Sequence, residues 1–222
     1  MSCGKHPALT IVINHADAED YARLIGAQFP QVRAIVAPDL DRLYQHISEA
    51  DALIGFRFPT EVLNHAKKLR WFQFLGAGFD SASLFREDVS NITVTNIPGI
   101  HGDNIADYVM AGAVMLHWDF RRVLREQAER KWNPRYNTPL AEMTLGVVGL
   151  GLVGKTIARR AKSAGMTVLG ARRDVCARVE GVDQVFGSDQ LKDLLALCDF
   201  VVLAFQRRRR RSGSLALLKS QT

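Results

Sequence analysis

Over its first hundred residues the chain alternates short apolar runs with amphipathic stretches. "LTIVINHA" (9–16) reads as a strand, and "AEDYARLIGAQF" (18–29) as the helix after it. "VRAIVA" is a second strand, followed by "DLDRLYQHISEA", in which Leu43 and Ile47 fall at helical spacing. "DALIGFRF" is a third strand, after which Pro59 and Thr60 open a helix through "EVLNHAKKL". "RWFQFLG" is a fourth strand running into a Gly-Ala-Gly turn, and "NITVTNIP" is a fifth. Strands and helices alternating at this spacing predict a mostly parallel sheet covered by helices on both faces.

From Asn104 to about Trp132 the pattern becomes one long helix, with Ile105, Val109, Ala113 and Leu116 on one side. Pro134 and Pro139 then mark a loop. A second series of strands and helices begins near Leu145: "MTLGVVG", "KTIARRAKSAG", "MTVLGARR", "SDQLKDLLALC" and "DFVVLAF". The division between two domains is expected near residue 100, with the long helix as the connection.

The stretch "GLGLVGKT" (149–156) carries two patterns at once. Gly149, Gly151 and Gly154 match the G-x-G-x-x-G of a dinucleotide turn. Gly149, Gly154, Lys155 and Thr156 match a triphosphate loop. Both would present backbone N–H groups and a helix N-terminus to a phosphate. A triphosphatase also needs an acid at the end of a later apolar strand to hold magnesium. Neither "TVLGARR" nor "DFVVLAF" ends in one, and Asp199 stands before its strand.

The dinucleotide reading accounts for more. The turn follows a strand and opens a helix, with Gly149 for the bend, Gly151 for close approach of the pyrophosphate, and Gly154 for helix–strand packing. The next strand ends at Arg172 and Arg173, where the ribose is read; paired arginines favour the 2′-phosphate of NADP, and NAD stays possible. A glycine-rich corner with no ligand is the remaining reading.

With the turn placed, the chain resembles the D-isomer-specific 2-hydroxyacid dehydrogenases from about residue 50 to residue 205. The resemblance rests on "LRWFQFLGAGFD", "HGDNIADYVMAGAVMLHW", the segment from Thr144 to Arg173, and "LLALCDFVVLA", with Asp107 where a glutamate is usual. The arginine pair is most like the NADPH-dependent glyoxylate/hydroxypyruvate reductase branch.

The resemblance implies two doubly wound α/β domains: a flavodoxin-like substrate domain over 1–100 and a Rossmann cofactor domain over 101–205, incomplete, followed by a tail over 206–222. It implies hydride transfer between a nicotinamide cofactor and a small 2-keto or 2-hydroxy acid, usually in a homodimer. Gly76, Ala77 and Gly78 would offer N–H groups to the substrate carboxylate as an anion nest, or else simply form a corner needing positive φ. Leu152 and Val153 would lie along the cofactor.

The family's catalytic arginine, glutamate and histidine would fall beyond residue 205, and no catalytic residue of this chain is matched to them. Of the histidines, His6 carries no expectation and His15 ends the first strand. His46 and His65 are expected at the surface, and His101 and His117 belong to the connection, where His101 could meet a ligand. The chain as written is thus expected to be inactive, and a non-catalytic dinucleotide-binding remnant is the competing reading. Val201 to Phe205 would be left near an open sheet edge.

Composition changes this picture in one place. The net charge of +6 would ordinarily suggest nucleic acid, but five arginines and Lys219 lie in the acid-free final segment "RRRRRSGSLALLKSQT". The other 23 basic residues balance the 23 acidic ones, so the body is neutral. The tail could be a basic address or a solvated extension. Its abrupt start within a sheet favours an out-of-frame ending, and nucleic-acid binding is not expected. Cys3, Cys176 and Cys198 show no metal-ligand spacing, and no metal site is expected. With no leader or apolar membrane span, the expected location is the cytoplasm.

Overall fold

The computed structural model describes residues 9–56, 58–77 and 91–205. Cys3, His6, Gly78 and the arginine tail lie outside the described residues. The chain divides into two compact units, Met1–Ile100 and His101–Thr222.

In the first unit, β1 (Thr10–Asn14) is buried along its whole length and is an interior strand of a five-stranded sheet. Its partners are β2 (Arg33–Val36) on one side and β3 (Ala52–Gly55) on the other, followed by β4 (Trp71–Phe74) and β5 (Thr93–Thr95). Every pairing is parallel, and the order β2-β1-β3-β4-β5 is that of flavodoxin.

The period-two alternation of side chains sends each strand into two cores. Val12, Leu53, Phe72 and Phe74 enter one, together with Leu43 of α2 (Leu40–His46) and Ile47. Ile11, Ile13 and Ile54 enter the other with Ala18, Tyr21 and Ile25 of α1 (Ala18–Gln28). Helices therefore cover both faces. The expected helix after Pro59 is a 3-10 segment, Thr60–His65, so the crossover from β3 to β4 is made by about two 3-10 turns.

Asp39 caps α2 by accepting the Arg42 N–H at 2.8 Å. At the far end of α2, His46 Nδ1 donates to Glu49 Oε1 at 2.9 Å and Arg33 donates to Glu49 Oε2 at 2.7 Å. The two donors hold the Glu49 carboxyl below the usual carboxylate range. His46, expected at the surface, is accordingly half-buried in this cluster.

The second unit opens with α3 (Gly102–His117) and α4 (Phe120–Ala128). The single long helix expected from Asn104 to Trp132 is thus two helices. The break falls at Asp119, which adopts the left-handed conformation (φ 47°, ψ 56°) and caps α4 through the N–H of Arg122. A polar side chain that bonds locally is one of the few that tolerate this conformation outside glycine.

The face turned inward is only partly the expected one. Gly102, Ala106 and Ala113 are buried, with Val109 and Met110 packed beside them, whereas Ile105 and Leu116 are exposed. Small residues bring α3 close to α5 (Leu152–Ser163): a Cβ on Gly102 would stand 3.1 Å from Thr156 Oγ1. Arg160 of α5 reaches both Asp103 (3.4 Å) and Asp107 (3.0 Å) of α3.

The second sheet is also parallel, with strands β6 (Thr144–Val148), β7 (Thr167–Ala171), β8 (Gln184–Phe186) and β9 (Phe200–Leu203) in the order β8-β7-β6-β9. This is the arrangement of the first four strands of a Rossmann sheet. α5 and α3 cover one face, and α6 (Leu191–Ala196) covers the other through Leu194. Among the described residues β9 is an edge strand, and Val201, Leu203 and Phe205 are exposed there. No helix among the described residues is long and apolar enough to cross a membrane.

Candidate functional site

The carboxyl end of β6 is where the sheet order reverses, with β7 on one side and β9 on the other. Open parallel sheets form a crevice at such a point, outside the strand ends. The chain leaves β6 at Val148, turns through Gly149, Leu150 and Gly151, and enters α5 at Leu152.

The three glycines have three different reasons. Gly149 has φ +102°, which favours glycine, and its N–H donates to Ala171 O at 2.9 Å. A side chain there would also strike the Ala204 carbonyl, 2.7 Å from the Cβ position. Gly154 is buried, and a Cβ on it would collide with the Gly149 carbonyl oxygen, so its absence sets how closely α5 lies on β6. Gly151 has an ordinary extended backbone (φ −78°, ψ −164°), and a Cβ on it would meet nothing within 4 Å. Neither strain nor packing explains the second glycine.

Open space in front of Gly151 coincides with the start of a twelve-residue helix. Its N-cap has no side chain to occupy the first N–H groups, and its first turn carries no acid. Those amides, and the positive end of the helix, lie beside the open space in front of Gly151. The residues therefore fit a dinucleotide pyrophosphate. Leu152 stands exposed beside the opening, whereas Val153 is half-buried and packs against the core under α5. Lys155 is exposed on the same turn.

At the end of β7, Arg172 donates its backbone N–H to Phe186 O at 3.1 Å. Its guanidinium meets Asp174 at 3.3 Å. Arg173 is exposed and makes no ion pair among the described residues. Asp174 carries no site role from the sequence, although its place two positions after Arg172 is legible there. Nor does Ala204, whose role appears only through the pairing of β6 with β9.

In the first unit, Gly76 and Ala77 follow β4. Gly76 is not a positive-φ residue, which removes the corner explanation for it. A Cβ there would run into the ring of Phe74, which is stacked on Phe56 at 5.4 Å, so the residue is small for packing. Ala77 O accepts from Asn96 Nδ2 at 2.9 Å, which ties the turn to the end of β5. Gly78 lies outside the described residues.

The described histidines have local partners or stand free of one another. His15 Nδ1 accepts the Asp17 N–H, and His65 lies edge-on to Tyr44. His101 is exposed just before α3. His117 donates from Nε2 to Thr138 O at 2.7 Å and stands edge-on to Phe200, which fastens the end of α3. Among the described residues no three His, Cys, Asp or Glu side chains gather as a cation site.

A glycine turn at the switch point of a parallel sheet, with an open second glycine and a free helix start, defines a dinucleotide-binding α/β unit. Residues 110–215 match the profile of the D-isomer specific 2-hydroxyacid dehydrogenase NAD binding domain. The chain is 32% identical over 179 residues to a glyoxylate reductase of Pyrococcus horikoshii, covering 73% of this chain and 52% of that protein. It also superposes on a D-isomer specific 2-hydroxyacid dehydrogenase family protein from Aeromonas salmonicida. That match has a TM-score of 0.79 and 30% identity, and covers 89% of this chain and 64% of the other.

The fold is shared as well with an NADPH-dependent glyoxylate/hydroxypyruvate reductase from Sinorhizobium meliloti, solved with NADP and sulfate. There the TM-score is 0.74 at 19% identity, covering 89% of this chain and 62% of that one. The chain thus shares sequence and fold with the D-isomer specific 2-hydroxyacid dehydrogenase family, whose NAD binding domain its residues 110–215 match. It spans about half the length of the curated relatives it matches.

Proposed function

We propose that these residues form the substrate unit and the start of the cofactor unit of an NAD(P)-dependent oxidoreductase that reduces a small 2-keto acid. The observation that carries the reading is Gly151, the one glycine of its turn with open space in front of it. The pyrophosphate is placed on the N–H groups at the start of α5, with Leu152 and Val153 alongside. The 2′-phosphate of NADP is placed at Arg172 and Arg173, and NAD is admitted at lower affinity. The substrate carboxylate is assigned to the backbone of Gly76, Ala77 and Gly78. A bound nicotinamide would supply the hydride.

The substrate class, glyoxylate or hydroxypyruvate, is supported by the glyoxylate reductases among the relatives. Within these 222 residues no side chain matches the family's catalytic arginine, glutamate or histidine. The polypeptide of this sequence is therefore expected to bind dinucleotide without consuming NADPH when glyoxylate is added. The decisive experiment titrates the chain with NADPH and NADH, then repeats it with Arg172→Ala/Arg173→Ala. Loss of two charge-assisted contacts predicts NADPH weakened by about a hundredfold and NADH nearly unchanged. A chain that binds neither cofactor overturns the reading.

The reading includes a homodimer, cytoplasmic as expected from the sequence. Its support is the apolar surface of the α3–α4 segment and the residues after it. Tyr108, Met115, Leu116, Leu124, Trp132 and Tyr136 are all exposed there, more than a self-contained surface ordinarily shows. Sedimentation is expected to give the mass of two chains, reduced to one by Leu116→Glu/Leu124→Glu. A single-chain mass for the unmodified protein removes the dimer.

A further inference from the structure

We infer that Asp174 is a positioning residue that sets the balance between the two dinucleotides by competing for Arg172. The inference rests on the cofactor reading above. Asp174 Oδ2 stands 3.3 Å from Arg172 Nη2, while its Oδ1 accepts the backbone N–H of Cys176 at 3.1 Å. One oxygen is therefore fixed by the chain, and the other is presented to the guanidinium before any ligand arrives. Arg172 is itself tied down, because its backbone N–H bonds Phe186 O and its side chain is only 23% exposed. Cation and carboxylate leave the end of β7 as a pair.

The pair treats the two cofactors differently. A 2′-phosphate drawn to Arg172 must share one cation with a carboxylate held close by, and the two anions repel. A ribose with a free 2′-hydroxyl meets a carboxylate able to accept its hydrogen bond. Arg173, with no ion pair among the described residues, supplies the uncontested positive charge for the phosphate. The arginine pair by itself would favour NADP strongly; Asp174 keeps the site open to NAD.

The test compares NADPH and NADH affinities for the unmodified chain, Asp174→Asn and Asp174→Ala. Asparagine keeps an oxygen for the Cys176 N–H and removes only the charge. Asp174→Asn is expected to raise the ratio of NADPH to NADH affinity about tenfold, with the larger change at low salt. A general loss of structure would weaken both cofactors together and leave the ratio where it was. An unchanged ratio in Asp174→Asn, whether or not Asp174→Ala shifts it, overturns the inference. If the unmodified chain binds neither dinucleotide, the underlying cofactor reading fails instead.

Discussion

Gly151→Ala is expected to leave the melting midpoint of the chain in place and to weaken NADPH binding about a hundredfold. The backbone at this position is extended and ordinary, and the added methyl would touch no atom of the protein. Nothing in the folded state resists it. The methyl would instead occupy the opening through which a pyrophosphate reaches the first amides of α5. Displacing the phosphate from two N–H groups, at about 1.5 kcal/mol for each bond to a charged group, gives about 3 kcal/mol, or about two powers of ten. Fluorescence titration with NADPH measures the affinity and a thermal melt controls for folding. Unchanged affinity in a folded variant would mean that the pyrophosphate lies elsewhere.

Gly154→Ala, three residues on, should behave in the opposite manner. Its methyl would meet the Gly149 carbonyl oxygen, a backbone atom with no room to retreat. Gly149 is bonded to Ala171 O on one side and abuts the Ala204 carbonyl on another. α5 must then lift from β6, opening the packing around Val147, Ile157 and Ala158. Overpacking of this kind costs about 3 kcal/mol. For a unit of about a hundred residues this lowers the midpoint by roughly 10 °C or more. A calorimetric scan that finds the midpoint within about 2 °C of the unmodified chain would show that Gly154 does not set the helix–strand distance.

The spacing of the turn gives these two glycines different roles, and the coordinates supply the physical reason: open space at Gly151 and a backbone carbonyl against Gly154. The alternation of elements was legible because apolar runs such as "TIVIN" and "TLGVV" can only be strands in the interior of a parallel sheet. Three features escaped for definable reasons. β8 is a three-residue strand, Gln184–Phe186, too short to show a period. The break at Asp119 depends on one non-glycine residue in the left-handed region, whereas helical periodicity continues across it. The buried stripe of α3 includes Gly102 and Ala106, small residues that carry no apolar signal of their own, together with Ala113 from the expected side, whereas Ile105 and Leu116 are exposed. At the site, the glycine turn was readable from spacing, but the pairing of Arg172 with Asp174 required coordinates.

The wall that β9 contributes to the turn has a consequence for how the protein is made. Ala204 donates its N–H to Val148 O at 2.8 Å, and its carbonyl closes against Gly149. Contacts that link such distant points form late, because a long intervening loop must first be closed, here about 55 residues. A nascent chain that has emerged only as far as β7 already holds β6, α5 and their three glycines, but the bend is still unbraced. Capture of the nucleotide should therefore wait for the strand on the far side of the crevice, so that its onset during synthesis marks the moment β9 docks.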